Sequence, residues 1–400
     1  MDELISRLKK FFPDTLQSRL FMVGGMVRDI LLGVECQDID LAAAVSPSEL
    51  TPLGFRLVES KSTPNIYFLY HKQFGKLEMT RLESTEALAE DLRRRDFTVN
   101  AMAMTLDQVL QDPLDGQRDL ENKILRACSA TSLSDDPIRI FRALRFECDG
   151  WRLDGDAETA ISCRDWSRDL SLVPVERFSQ EMLKALGKSD PSRFFRRMLQ
   201  FRVGQVYLPE IFQMPEVPAG PLQHHPEGDL FTHSMQALER MSQATTDTSA
   251  RFCALFHDLG KLSTLREHYP KHHGHDVAGA DAALSFCKKL RLPVALQRTL
   301  QATSRLHTTA NRWEELRDAT KIKLALNAVK GGIAEFLPLM VAADCGGAMP
   351  GWNETLQVAS LNASQLGIDP LIFESAQFPP EKCQQLIMQH RIKELRKRRL

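Results

Sequence analysis

The 400-residue chain has no apolar run long enough to cross a bilayer; even the stretch Ile333–Ala343 is interrupted by Glu335. It has no Cys-x-x-Cys pair: the cysteines at 36, 128, 148, 163, 253, 287, 345 and 383 are scattered. That spacing excludes a zinc ribbon and a disulfide framework, fits a reducing compartment, and reads as small core residues. Charge of one sign is also missing. With 51 basic and 52 acidic residues the net charge is −1, so nothing attracts nucleic acid to the chain as a whole. Glycine (21) and proline (20) occur at ordinary levels, which excludes collagen-like and proline-rich scaffolds. No internal repeat or low-complexity tract is visible. The acidic start Met1-Asp2-Glu3 leads into an amphipathic helical pattern up to Phe12, so no secretory signal is expected and the expected location is cytoplasmic.

What is present is an ordinary globular composition, 43% apolar and 26% charged, over a length that suggests several domains. Leu20–Val23 is a short apolar run that stops at Gly24-Gly25 and is followed by the helical pattern Met26–Leu32: strand, tight turn, helix. A second strand is expected at Leu41–Val45, and a pair at Tyr67–Tyr70 and Lys76–Thr80 flanking the turn Gln73-Phe74-Gly75. After Thr85 the pattern is mainly helical. The expected fold class is an α/β head, a small mixed sheet with helices, followed by an all-α neck, body and tail. The expected divisions are 1–125 for the head, 126–212 for a helical neck, 213–350 for a second catalytic domain and 351–400 for a helical tail. The segment Gln213–Pro226, with four prolines and His224-His225, marks the middle boundary.

Two features of the head carry chemistry. Asp38 and Asp40 are one residue apart, and on a strand that spacing points both carboxylates to one face, where they can share a divalent cation. Gly24-Gly25 before a helix lets the backbone approach a phosphate, with Arg28 one turn further on. Either piece alone is common in surface turns; their order and tight spacing make them informative.

These residues also carry a resemblance. Gly24-Gly25-Met26-Val27-Arg28-Asp29, Leu32-Gly33 and Asp38-Ile39-Asp40 resemble the first motif of the class II tRNA nucleotidyltransferases and their bacterial poly(A) polymerase relatives. Arg94-Arg95-Asp96-Phe97-Thr98-Val99-Asn100-Ala101-Met102-Ala103 resembles the second motif, and Asp112-Pro113, Gly116 and Leu120 resemble the segment closing the head. Asp135-Asp136-Pro137-Ile138-Arg139, continuing to Phe146, resembles the nucleotide-selecting motif, and Val175-Glu176-Arg177 with Glu181 the last neck motif. The resemblance covers residues 20–187 in order. It implies that Asp38 and Asp40, with Glu78 as third carboxylate, hold Mg²⁺ for an in-line displacement that releases pyrophosphate. It implies further that Gly25, Arg28 and Arg95 meet the triphosphate, that Asp136 and Arg139 pair with the edge of a C or A base, and that Arg142 and Arg145 reach phosphates. By helical spacing Asp136 also suits an N-cap before Pro137, while Ile138, Phe141 and Leu144 form the opposing core stripe.

Most of the eleven histidines fall between His224 and His307. His233, the stretch Ala254-Leu255-Phe256-His257-Asp258-Leu259-Gly260-Lys261, and His272-His273-Gly274-His275-Asp276 resemble an HD-domain phosphohydrolase. The resemblance implies a metal site of His233, His257, Asp258, His275 and Asp344 that takes a divalent transition ion such as Ni²⁺ or Mn²⁺, with phosphatase or 2′,3′-cyclic phosphodiesterase activity. Spacing alone leaves open which of His272, His273 and His275 is the ligand.

One departure from the pattern concerns the product. Only 17 residues, Met79–Arg95, separate Glu78 from Asp96, and Ser84–Arg94 reads as helix, so the long flexible loop of full CCA-adding enzymes is largely missing. In the family a shortened loop accompanies addition of two cytidines without the final adenosine, so CC and CCA both stand as expected products. The implied partners are the tRNA acceptor arm, CTP and ATP, with no membrane, and the chain acts as a monomer or homodimer. RNA contact would come from Arg93-Arg94-Arg95, from Arg193, Arg196, Arg197 and Arg202, and from the tail Arg391–Leu400, which has six basic residues and one acid. The rivals are a poly(A) polymerase, and an RNA-binding protein whose only activity is that of the HD domain.

Overall fold

The computed structural model describes residues 2–36, 39–58, 66–369 and 379–399. The chain divides into two compact units, Met1–Asp169 and Leu170–Leu400, the division falling within the stretch 126–212.

The first unit begins with helix α1 (Asp2–Phe11) and is built on a sheet of β1 (Leu20–Val23), β2 (Ile39–Ala44), β3 (Arg56–Leu57), β4 (Ile66–His71), β5 (Gly75–Leu82), β6 (Ala103–Thr105) and β7 (Leu110–Gln111). The order is β3-β4-β5-β2-β1-β6-β7. β2 and β5 pair in parallel and the other neighbours antiparallel, so the sheet is mixed as expected. Helix α2 (Gly25–Leu31) leaves β1 through the glycine turn, and α3 (Leu88–Arg93) follows β5 after one 3₁₀ turn. Leu88 and Leu92 of α3 pack with Phe21, Val23, Ala42, Leu82, Ala101 and Ala103, the apolar cluster that fastens the helix to the sheet. The expectation of a mainly helical chain after Thr85 is corrected here. Residues 103–105 return to the sheet beside β1, because Ala103 and Met104 are apolar and buried and find an open strand edge there.

Helix α4 (Ile138–Glu147) closes the first unit's site, with Ile138, Phe141 and Leu144 buried at three-residue steps. Pro137 occupies its N-cap. Asp136, expected at that position, stands one residue earlier in an extended conformation, φ −147° and ψ 93°, because the residue before a proline is driven out of the helical region.

The second unit is all-helical among its described residues. Helices α5 (Val175–Leu186) and α6 (Ser192–Phe201) precede a set consisting of α7 (Leu230–Ala244), α8 (Thr248–Phe256), α9 (His275–Lys289), α10 (Val294–Ala310), α11 (Asp318–Gly331), α12 (Leu337–Cys345), α13 (Trp352–Ser360) and α14 (Pro380–Arg398). In α6 the phenylalanines 194, 195 and 201 face the core, while Arg196 reaches Glu239 and Arg197 lies over Phe201. The cysteines need correcting: Cys148, Cys253 and Cys287 are buried, but Cys163 and Cys345 are exposed, and Cys345 lines a cavity. No described helix is long and apolar enough to cross a membrane.

Candidate active sites

The first site lies where β1, β2 and β5 meet the second motif. Parallel pairing of β2 with β5 sets Asp40 directly opposite Glu78, so the two carboxylates stand on one face of the sheet, while Leu41, Leu77 and Met79 fill the other. Asp38 lies outside the described residues. Glu78 is half-buried and takes an ion pair from Lys76 at 2.8 Å.

Above this pair, the main chain turns at Gly24 with φ 69° and ψ −138°, a conformation that an L side chain avoids. A Cβ at Gly24 would stand 2.6 Å from Arg95 Nη1 and 3.7 Å from Asp40 Oδ2. The missing side chain is what allows the Arg95 guanidinium to lie against the turn beside the Asp40 carboxylate. Asp91, one helical turn earlier, accepts from Arg95 Nη2 at 3.1 Å and holds it there.

The remaining head residues form a chain of side-chain bonds. Arg28 donates from Nη1 to Asn100 Oδ1 at 2.6 Å and from Nη2 to Asp29 at 2.7 Å. Asn100 donates to Asp96 Oδ1 at 3.0 Å, and Asp96 Oδ2 accepts from Arg142 at 2.7–2.8 Å. Burial pushes the Asp96 carboxyl up, but Arg142, Asn100 and the Phe97 N–H together outweigh it and hold the group below its ordinary range. Arg139 donates to the carbonyls of Arg94, Arg95 and Ser132 and to Ser132 Oγ, at 2.7–3.1 Å. Arg145 lies over the Phe146 ring at 4.8 Å. In this conformation, then, Arg139 spends its donors on main-chain carbonyls and Arg142 on a buried carboxylate. Asp29, Asp91 and Asn100 belong to the site and were missed from sequence. Each is a short polar residue at i+1 or i−4 to a motif arginine or four residues past Asp96, a spacing that could have drawn notice.

The second site is in the helical unit. α7 supplies His233, the end of α8 supplies His257 and Asp258, α9 begins with His275, α10 carries His307, and α12 carries Asp344. All but the half-buried His275 are buried. His233 Nε2 and His257 Nε2 are 3.4 Å apart, and Asp344 Oδ1 lies 3.1 and 3.4 Å from them. Asp258 Oδ2 is 3.2 Å from His257 Nε2, while its Oδ1 is 3.3 Å from both His275 Nε2 and His307 Nε2. Asp258 therefore faces two groups of donors, one through each oxygen. His307 also joins the cluster and was missed from sequence, since nothing local distinguishes it from a core histidine. Among the three open choices, only His275 joins the cluster. His272 is engaged on both ring nitrogens, by Thr264 and Pro218, and His273 is exposed.

The donor set fits metal ions. Every imidazole is turned by its Nδ1, at 2.7–2.9 Å: His233 to Glu227, His257 to the Ala254 carbonyl, His275 to the His272 carbonyl and His307 to the Ser304 carbonyl. Carbonyls can only accept, so Nδ1 carries the proton there and Nε2 points inward, as in metal-ligating histidines. Asp258 Oδ1 is buried without a hydrogen bond, which is costly unless a cation meets it. Among the described residues, three groups of three drawn from this cluster bring their ligand atoms within 4.8 Å of one another, and His225 and Glu227 form a fourth with His233. Burial pulls the His257 imidazole down, but Asp258 and Asp344 outweigh it and raise its pKa to about 10. Burial pushes both carboxyls up, but His257, with Lys261 beside Asp258 and His233 beside Asp344, outweighs it and holds them well below their ordinary range. A cavity of about 900 Å³ opens onto the cluster.

Sheet, glycine turn and carboxylate pair, together with the histidine–aspartate cluster, define a nucleotidyltransferase head and an HD metal-site domain on one chain. Comparisons agree with this class. The poly A polymerase head domain matches residues 20–65 and 65–126, the probable RNA and SrmB-binding site of polymerase A matches 155–214, and the HD domain matches 230–329. A multifunctional CCA protein of Methylococcus capsulatus is 35% identical over 82% of this chain and 81% of its own length; one from Legionella pneumophila is 34% identical over 76% and 78%. Among solved structures, a Thermotoga maritima CCA-adding enzyme complexed with tRNA-CCA shares the fold at TM-score 0.65, with 20% identity over 98% of this chain and 90% of that one. The chain belongs to the multifunctional CCA protein family, and it is a nucleotidyltransferase that uses divalent metal.

Proposed function

We propose that the chain adds CMP and then AMP, from CTP and ATP, to the 3′ end of tRNA to build or repair the CCA terminus. The observation that carries this reading is the register pair Asp40–Glu78 beneath the Arg95 guanidinium. Asp40 and Glu78, with Asp38, would hold Mg²⁺, which supplies Lewis-acid polarisation of the attacking and leaving oxygens. The RNA 3′-hydroxyl oxygen bonds to the α-phosphorus as the bond to the β-phosphate oxygen breaks. The hydroxyl proton passes to solvent water, and pyrophosphate leaves with the displaced charge. Arg95 and Arg28, fixed by Asp91 and by Asn100 with Asp29, neutralise the triphosphate next to the glycine turn at Gly24-Gly25. Asp136 and Arg139 are the base-selecting pair; Arg139 meets a base edge by exchanging its bonds to main-chain carbonyls for bonds to the base. Arg145 extends that face of α4 toward phosphates, and Arg142 joins it by exchanging bonds to Asp96 for bonds to phosphate, as Arg139 exchanges its own.

The HD cluster of His233, His257, Asp258, His275, His307 and Asp344 would hold a transition ion such as Ni²⁺ or Mn²⁺ and hydrolyse phosphate esters. The donor chemistry supports this reading: imidazoles oriented through Nδ1 around a carboxylate with an unpaired oxygen. The basic C-terminal end of α14 is read as an RNA contact.

A second reading, addition of CC only, is favoured by one observation. β5 ends at Leu82 and the next 3₁₀ turn begins at Thr85, which leaves no room for a long loop before α3. A gel assay on tRNA lacking its CCA end separates the readings. CTP alone gives two added residues in either case, and a third on adding ATP establishes CCA addition. Two residues with no third favour the CC-adding reading. A long adenosine ladder marks a poly(A) polymerase, and no transfer by a chain with HD activity leaves only the phosphohydrolase.

A further inference from the structure

The cavity over the HD cluster has a polar wall that metal binding does not use. α7 presents His233 and, seven residues on, Arg240 along one face, about 10 Å apart on the helix axis. Lys261, the other lysine or arginine among the described residues that line the cavity, is buried and spent: its Nζ donates to Asp258 Oδ2 at 2.6 Å and to the Ala219 carbonyl at 2.7 Å. Arg240 is different. It is exposed to the cavity, and Nη1 donates to the Ala343 carbonyl at 2.8 Å and, more weakly, to that of Asp344 at 3.4 Å. Nη2 donates to the Gln236 amide oxygen at 3.2 Å, and Nε meets no partner among the described residues. The bonds to residues 343 and 344 do more than close the end of α12, for they fix a guanidinium beside the main chain of a cluster residue with donors to spare. Preorganised, open to solvent and flanked by the neutral amides of Gln236 and Asn311, it suits an anion better than a structural role alone requires.

We propose that Arg240 is the anchor for a non-bridging oxygen of the phosphoryl group when a phosphate ester occupies this cavity. The cavity, about 900 Å³, has room for a nucleoside-sized phosphate ester, and the Nε–H and second Nη2 hydrogen of Arg240 are left to meet one phosphoryl oxygen. In the hydrolysis, the water oxygen bonds to phosphorus, the bond from phosphorus to the leaving oxygen breaks, and one proton ends on that oxygen. Ester and water thus balance phosphate and alcohol. Arg240 holds the phosphoryl group in line for this and takes no proton. The inference rests on the phosphohydrolase reading of the cluster.

The test uses the full chain loaded with Mn²⁺, with 2′,3′-cyclic AMP as substrate and inorganic phosphate as competitive inhibitor. Arg240→Ala should raise both KM and the phosphate inhibition constant by about tenfold to a hundredfold, the range for a lost charge-assisted hydrogen bond. The fall in kcat should be smaller, and Arg240→Lys should recover part of the loss. Bound metal measured by atomic absorption, and nucleotide transfer by the head, should match the unaltered chain. Arg240→Ala with unchanged KM and phosphate affinity overturns the inference, as does a loss that only parallels lost metal, because Arg240 then acts through Asp344. An unaltered chain that holds metal but neither hydrolyses the ester nor binds phosphate also overturns it. A chain that takes up no metal refutes the reading of the cluster itself, and the inference falls with it.

Discussion

Gly24→Ala is the most informative single change in the head. The Gly24 backbone sits at φ 69° and ψ −138°, where a residue with a Cβ carries strain of about 1–3 kcal/mol. The new methyl would also stand 2.6 Å from Arg95 Nη1, so the guanidinium must retreat by about 1 Å to reach ordinary contact. Misplacement on that scale costs about a hundredfold in rate at a site that works by positioning. The expected outcome is a fall of about a hundredfold in nucleotide transfer to tRNA. The melting temperature should drop by about 2–4 °C for each kcal/mol of strain. Gly25→Ala is the control. Its Cβ would meet only the far end of the Arg28 side chain, at 3.4 Å, and its φ is not in the left-handed region. That variant should keep its activity within about tenfold of the unaltered chain, an accommodation that moves one flexible guanidinium. Radioactive nucleotide incorporation and calorimetry measure both variants side by side. A Gly24→Ala chain that transfers normally, or a Gly25→Ala chain that is worse, would refute the account of the turn.

Three further outcomes are expected. Asp96→Asn removes the buried partner of Arg142 and should destabilise the first unit by about 3 kcal/mol, the low end for a broken buried pair because Arg142 keeps contact with water. Because the folded carboxyl is depressed, its stabilisation is full above the unfolded value of about 3.9 and is lost as pH falls through the folded value; calorimetry should find the two proteins converging in acid. His257, raised to about 10, is protonated in the metal-free chain at neutral pH, so metal uptake must displace that proton. Titration calorimetry in buffers of different ionisation enthalpy should then record about one proton released per ion at the His257 side, with affinity rising about tenfold per pH unit; pH-independent binding would sink this. Asp318→Ala frees Arg396 and Arg399, which hold α14 to α11 at 2.9 and 2.7 Å. Hydrogen exchange in 380–398 should quicken while global stability falls by less than about 1 kcal/mol, because the arginine ends of both pairs keep contact with water.

Reading the chain without its fold reaches whatever neighbours in sequence decide. Leu20–Val23, the glycine pair and α2 follow one another within twelve residues, so strand, turn and helix were legible, down to the arginine one turn into the helix. The α4 stripe of Ile138, Phe141 and Leu144 was legible because helical spacing alone puts those residues on one side. Motif order and the shortened segment before α3 were equally open to view.

Other features depend on pairings between residues far apart in the chain. Asp40 and Glu78 share a face because β2 and β5 pair in one register, and a shift by one residue would have turned one carboxylate into the core. Arg139 and Arg142 have long side chains whose partners, the carbonyls of 94 and 95 and the Asp96 carboxylate, come from a segment more than forty residues away. That His275 and not His272 lies beside Asp258, and that His307 joins it there, follows from helices that converge from distant parts of the chain, and spacing along one helix cannot say where another will pass. The sequence determined which chemistry the residues can perform. The packing of helices and the register of strands decided which of those residues meet, because charge attraction and metal coordination fall off over distances far shorter than the chain segments that separate them.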